Sequence, residues 1–238
     1  MSGGPVLEVA ESGEALPAIA AQRMASMAEA AVGWRGKAAL ALSGGSTPAL
    51  MFEELARYIL PWERIHLFQV DERVAPEGGP DRNATLLRAN LVDQVPIPAA
   101  NVHLMPVEAP DLAAGARAYA AELAEVTGDG VLDVVHLGLG DDGHTASWPP
   151  GDPVLDVTDE DVAVVGPFRG RLRMTLTPPA VNRARAVLWL VDGTDKAPAL
   201  RRLLDGDRSL PASAVRTDRA VVMAGPAAAP DRGRPGGG

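Results

Sequence analysis

The chain has 238 residues, 47% of them hydrophobic and none of them cysteine, with 22 basic against 31 acidic side chains and a net charge of −9. That length suits one large α/β domain burying roughly 70–75% of its unfolded surface, and the lack of cysteine excludes disulfides, thiolate metal sites and a cysteine nucleophile. The acidic balance argues against nucleic acid or anionic lipid as a partner, since both require clustered Lys and Arg.

Short β-type runs alternate with helical stripes from end to end, which predicts an α/β fold: a Rossmann-like, mostly parallel sheet with helices on both faces. Residues 1–5 carry neither a basic n-region nor an apolar h-region, so no secretory signal is read and a cytoplasmic location is expected. Val6–Val9 is the first strand. A helix over 14–32 follows, with Leu16, Ile19, Ala20, Met24, Met27, Ala28 and Ala31 in a stripe rather than an alternation. Strand Ala38–Leu42 runs into the turn 43–47 and a helix from Pro48 to about residue 59, with Thr47 as its cap. A strand over 65–70 ends in Asp71, Glu72 and Arg73, and a Gly/Pro-rich loop over 75–80 leads to a helix over 83–92. Next come a strand near 102–105, a helix over 112–126 and the apolar run 131–137, a buried central strand that ends in segment 138–144. An acidic loop at 156–161 precedes strands over 162–165 and 172–176, after which Thr177 caps a short helix beginning at Pro178. The run 187–191, a helix over 193–204 and a strand over 220–223 follow, and residues 225–238, rich in Gly, Pro and Ala, read as a disordered tail. No apolar run approaches the ~20 residues that span a bilayer. Neither a repeat nor a linker splits the chain, so a single domain over 1–224 is expected.

The chemistry-bearing residues cluster in loops that follow strands, where an open α/β sheet binds its ligands. In Ser43, Gly44, Gly45, Ser46 and Thr47 the glycine pair permits close backbone approach, the hydroxyls of Ser46 and Thr47 are donors, and the helix start attracts an anion. On its own this segment reads equally as an ordinary strand-to-helix turn, and no Gly-Lys-Ser/Thr makes it a Walker loop. Asp71 and Arg73 offer a carboxylate and a guanidinium at a strand end, although taken alone they fit a solvated ion pair better. Segment 138–143 matches Gly-x-Gly-x-x-Gly, but Pro149 and Pro150 follow where that fingerprint requires a helix. What remains is Asp142 two residues before an exposed His144, a candidate general base. His66, His103 and His136 sit in or beside strands and read as structural. No second ligand has metal spacing to Asp141, Asp142 and His144, so neither metal nor cofactor is expected, and no Gly-x-Ser-x-Gly elbow marks a serine hydrolase. Arg173 and Lys196 complete the set. Lys196 is one of only two lysines, the other being Lys37, and it lies in the first turn of a helix where a cation opposes the macrodipole. A bound anion there is the simplest compensation, an ordinary exposed lysine the alternative.

Segments 43–48, 71–73, 138–147, 173–177 and 193–197 stand in the order and approximate spacing of one family's motifs. Over roughly residues 37–216 the chain resembles the 6-phosphogluconolactonases. The resemblance implies the fold shared with glucosamine-6-phosphate deaminase and ribose-5-phosphate isomerase, and metal-free hydrolysis of 6-phospho-D-glucono-1,5-lactone to 6-phospho-D-gluconate in the oxidative pentose phosphate pathway. It further implies that Gly44, Gly45, Ser46 and Thr47, beside Ser43, cradle the phosphate with Arg173 and Lys196 as counter-charges. His144 is then the base, oriented by Asp142, while Asp71 and Arg73 face the sugar. A small phosphosugar lactone is thus the expected partner of a monomer or weak homodimer. Two departures stand out. Trp148 is displaced by one position from the family's aromatic, which predicts a changed pocket wall, and Arg82 replaces a serine, which predicts an added charge near the mouth. A glucosamine-6-phosphate deaminase or isomerase-like enzyme is the first rival, but it would need an acid five positions after His144, where Pro149 stands. A non-catalytic sugar-phosphate sensor is the second, but no helix-turn-helix precedes Val6.

Overall fold

The computed structural model describes residues 5–230. Along them run β1 (Val6–Val9), α1 (Leu16–Arg35), β2 (Ala38–Leu42), α2 (Ser46–Leu55), β3 (Ile65–Gln69), β4 (Asp71–Arg73), α3 (Asn83–Asn90) and β5 (Val102–His103). Then follow α4 (Leu112–Thr127), β6 (Val134–Leu137), β7 (Val162–Phe168), β8 (Arg171–Leu176), α5 (Pro178–Arg183), β9 (Ala186–Val191), α6 (Ala197–Leu204) and β10 (Ala220–Ala224). Seven strands pair in parallel in the order β1-β10-β9-β6-β2-β3-β5. From β2 the chain steps outward to β3 and β5, then returns to lay β6 on the other side of β2. That reversal opens a crevice at the carboxyl ends of β2 and β6.

Both faces of the sheet are covered, which is why its strands read as apolar runs. Side chains alternate across a strand. Ala39 and Ala41 of β2 therefore join one core with Phe68, Val135 and Trp189, beneath α4, α5 and α6. Ala38, Leu40 and Leu42 join the other with Leu67, Val134 and Leu188, beneath α1, α2 and α3. The close of α1 is equally local: Gly36 adopts φ 77°, and its amide donates to the Val32 carbonyl.

Several expectations are corrected. Residues 71–73 are not a loop at the end of the third strand; they form β4, the edge of a separate antiparallel sheet in the order β4-β8-β7. Val70 is the hand-over point, its amide donating to Leu42 in the parallel sheet while its carbonyl accepts from Leu176 of β8. Helix α2 starts at Ser46, not Pro48, because Gly45 at φ 133° supplies the entry turn; Thr47 lies inside the first turn and caps nothing. Thr177 precedes α5 as expected, but its hydroxyl donates to the Glu160 carbonyl instead of capping. The stretch before α6 is a separate 3-10 turn, Thr194–Lys196, since Pro198 has no amide to continue a longer α-helix. Of the expected tail, residues 225–230 turn back against the sheet, with the Gly225 amide donating to Val191 and Ala228 buried. The rest, 231–238, lies outside the described residues.

Candidate active site

The loops leaving β2, β6 and β9 meet β4 and β8 around a cleft of about 310 Å³. Ser43, Gly44, Gly45, Ser46, Thr47, Asp71, Arg73, His144, Arg173 and Lys196 all line it. Asp142 stands behind His144 rather than on the wall.

On the β2 side, Ser43 is tied to the next strand: its hydroxyl donates to the His136 carbonyl and its amide to His136 Nδ1. His136 is fully buried, and burial lowers it to about 4, so it serves as a neutral strut. The two glycines answer two different demands. Gly45 carries the positive φ, whereas a β-carbon on Gly44 would lie 2.1 Å from Asn83 Oδ1. Beyond them the amides of Ser46 and Thr47 have no intrahelical acceptor, and Pro48 has no amide, so two donors face the cleft.

Alternation along β4 sorts Asp71, Glu72 and Arg73. Asp71 and Arg73 face the cleft; Glu72, fully buried, turns the other way and accepts from the amides of Arg73, Asn83 and Ala84. Asp71 accepts from Ser147 Oγ at 2.6 Å and from Asn83 Nδ2 at 3.3 Å, with Arg173 Nη1 at 3.9 Å. Burial pushes its carboxyl above the ordinary range despite the Ser147 hydrogen bond and the Arg73 and Arg173 charges.

On the β6 side, Asp142 Oδ1 accepts from the His144 amide at 3.0 Å and meets His144 Nδ1 at 2.5 Å. Burial alone would raise the Asp142 carboxyl, but the two His144 bonds and Arg169 outweigh it and hold it below the usual range. The pair fits only because residue 140 is glycine: a β-carbon there would stand 2.0 Å from Nδ1 and 2.7 Å from Asp142 Oδ1.

Arg173 is mostly buried, its Nε donating to the Phe168 carbonyl and its Nη1 to Ser147 Oγ, so it braces Asp71 as well as lining the cleft. Lys196 lies at the amino end of α6, 3.0 Å from Asp195. Outside the cleft, His66 pairs with His103, and His103 in turn with Glu122. No three His, Asp or Glu side chains gather as a metal site among the described residues.

Neither of the two departures from the family's motifs places its side chain on the wall. Trp148 is fully buried, its Nε1 donating to the Leu176 carbonyl, so Ala146 and not the aromatic lines the wall. Arg82 adds no charge at the mouth, because it is buried under α3 against Glu72 and Glu108 and donates to the Ala75 carbonyl. The cation that the sequence did not reveal is Arg169, at the tip of the β7–β8 hairpin, and Asn83, Leu190, Val191 and Asp192 are further wall residues it did not anticipate.

A parallel sheet with a cleft at its reversal, free amides at a helix start and a histidine buttressed by a carboxylate together mark an enzyme of the α/β class. Residues 11–223 match the family model described as glucosamine-6-phosphate isomerases/6-phosphogluconolactonase, and the chain belongs to that family. It is 46% identical over 175 residues to the 6-phosphogluconolactonase of Synechocystis sp., covering 71% of this chain and 72% of that one. The Streptomyces coelicolor 6-phosphogluconolactonase is 35% identical over 230 residues, 90% of this chain and 88% of its relative. The crystal structure of 6-phosphogluconolactonase from Thermotoga maritima superposes with a TM-score of 0.83 at 29% identity, covering 92% of this chain and 98% of the other.

Proposed function

We infer that this chain hydrolyses 6-phospho-D-glucono-1,5-lactone to 6-phospho-D-gluconate in the oxidative pentose phosphate pathway, with His144 as the base that activates water. The observation that carries the base assignment is the Asp142–His144 pair on the cleft wall, 2.5 Å apart. A carboxylate at Nδ1 keeps that nitrogen a donor and leaves the Nε2 lone pair to take a proton. Water attacks the lactone carbonyl carbon as its proton passes to Nε2, giving a tetrahedral oxyanion. Collapse breaks the bond from carbonyl carbon to ring oxygen, the imidazolium returns the proton to that oxygen, and the new acid ionises. A δ-lactone is an activated ester, so a base and water suffice.

The Ser46 and Thr47 amides, with Lys196, hold the phosphate, remote from the carbonyl, and its binding energy fixes the ring. Arg73 and Asp71 face the sugar, and Arg173 completes the cation set from beneath. The deaminase reading lacks its acid, since Pro149 occupies the position. The working unit is one α/β domain, a cytoplasmic monomer or weak homodimer whose partner is the small phosphosugar; among the described residues no helix is long and apolar enough to cross a membrane.

The test is coupled hydrolysis of freshly made lactone, corrected for its spontaneous rate, beside glucosamine 6-phosphate deamination. His144→Ala loses most of the lactone turnover while still binding 6-phosphogluconate. Undiminished hydrolysis by that variant overturns the base assignment.

A further inference from the structure

We propose that the tip of the β7–β8 hairpin positions the general base: Phe168 sets the plane of the imidazole, and Arg169 holds the carboxylate that orients it. This rests on His144 being the base and assigns the groups that keep it aligned. The Phe168 ring meets His144 edge-on, with centroids 5.1 Å apart and planes at 75°, the arrangement favoured by aromatic quadrupoles. Arg169 Nη2 donates to Asp141 Oδ1 at 2.8 Å and lies 3.6 Å from Asp142 Oδ2. Asp142 is therefore held from both sides, with imidazole and amide on Oδ1 and guanidinium on Oδ2. Turning the carboxylate out of register would break both contacts.

The hairpin is built to deliver these two side chains. Arg169 sits at φ 48° and Gly170 at φ 79°, and the left-handed region is uphill for a residue with a β-carbon unless its surroundings hold it there. Here the surroundings do. The guanidinium carbons of Arg169 and Arg173 lie 5.4 and 5.0 Å from the Phe168 ring centroid, Arg173 Nε donates to the Phe168 carbonyl, and Arg171 pairs with Asp81 at 2.6 Å. The base loop thus does not hold its histidine alone; a second element, distant in sequence, closes on it. Arg169 is about half exposed, and ion pairs of that kind contribute little to stability. Its placement against the one carboxylate that orients the base is explained by alignment of His144, not by folding.

The experiment measures lactone hydrolysis by the full chain and its Phe168→Ala, Arg169→Ala, Arg169→Lys and His144→Ala variants, with melting curves to confirm folding. Expected is a fall in kcat of about tenfold or more for each alanine at the hairpin, the scale set by misaligned catalytic groups, with KM little changed and kcat partly rescued in Arg169→Lys. A kcat unchanged in both alanine variants, or a rise in KM alone, overturns the proposal. His144→Ala separates the two readings: if it is inactive while the hairpin variants are normal, only the hairpin role fails, and if it remains active, the base assignment fails first.

Discussion

Asp71 and Glu72 are adjacent in β4, and their carboxylates serve opposite sides of it. Asp71 faces the cleft with Ser147 and Asn83 as its donors, while Glu72 reaches under the strand to the first amides of α3 and to Arg82 Nε at 3.1 Å. One acid belongs to the site and the other to the scaffold that presents it, because α3 begins at Asn83, the residue that also touches Asp71 and packs against Gly44.

Glu72→Gln should therefore be a stability variant. It weakens the cap on α3 and leaves the buried Arg82 facing a neutral group, and breaking a buried pair from one side costs about 3 kcal/mol. Urea denaturation should show the loss, with activity per folded molecule largely kept. A midpoint equal to the parent's would mean that Glu108 alone satisfies Arg82.

Asp71→Asn should behave in the opposite way. The folded-state carboxyl is raised by burial, so the native state binds a proton more readily than the unfolded chain, and stability declines as pH rises from the unfolded value, about 3.9, through the folded one. The amide removes that decline. The variant should equal or exceed the parent's stability at neutral pH, with the difference vanishing as pH falls below the unfolded value, and should lose lactone turnover. Equal destabilisation at every pH would contradict the sign.

Much of this arrangement was legible before any coordinates. The apolar runs of the parallel strands, the glycine turn after β2 and the ordered motifs together point to ten residues that line the cleft. What escaped has physical causes. β4 is three charged residues long, too short and too polar to show a strand pattern, and its partners lie about a hundred residues away. Arg169 and Phe168 act across a hairpin on a loop more than twenty residues upstream, and no local period encodes that contact. The fate of Trp148 and Arg82 was hidden for the same reason: whether a side chain near a site points into it depends on tertiary packing.

Gly140→Ala tests how closely the base is fitted. The added methyl must displace either the imidazole or the Asp142 carboxylate, since both occupy its space. Gly140 itself needs no positive φ, so the fold should survive, and circular dichroism and melting should show it. Turnover should drop about 100-fold, the penalty for a misplacement on the order of 1 Å, with substrate-analogue binding retained. Full activity would mean that the loop relaxes around the methyl without moving the histidine.

Lys196→Ala tests the phosphate assignment, and the contrast with the other lysine sharpens it. Lys37 donates to the Val126 carbonyl in the last turn of α4, where a cation suits the helix dipole. Lys196 stands at the opposite kind of terminus, the amino end of α6, where the dipole disfavours it and Asp195 compensates only in part. On the proposed assignment, a dianionic phosphate drawn into the cleft restores the balance, and the net charge of −9 is no obstacle because the local field, not the total, governs a small ligand. Losing one charge-assisted hydrogen bond costs about 1.5–3 kcal/mol, so KM and the dissociation constant for 6-phosphogluconate should each rise roughly tenfold to a hundredfold, with kcat changed less. Lys196→Arg should recover part of the affinity, and competitive inhibition by inorganic phosphate should weaken in parallel with Lys196→Ala. An unaltered KM together with unaltered phosphate inhibition would remove Lys196 from the phosphate site and leave Arg173 and the Ser46 and Thr47 amides to hold the anion.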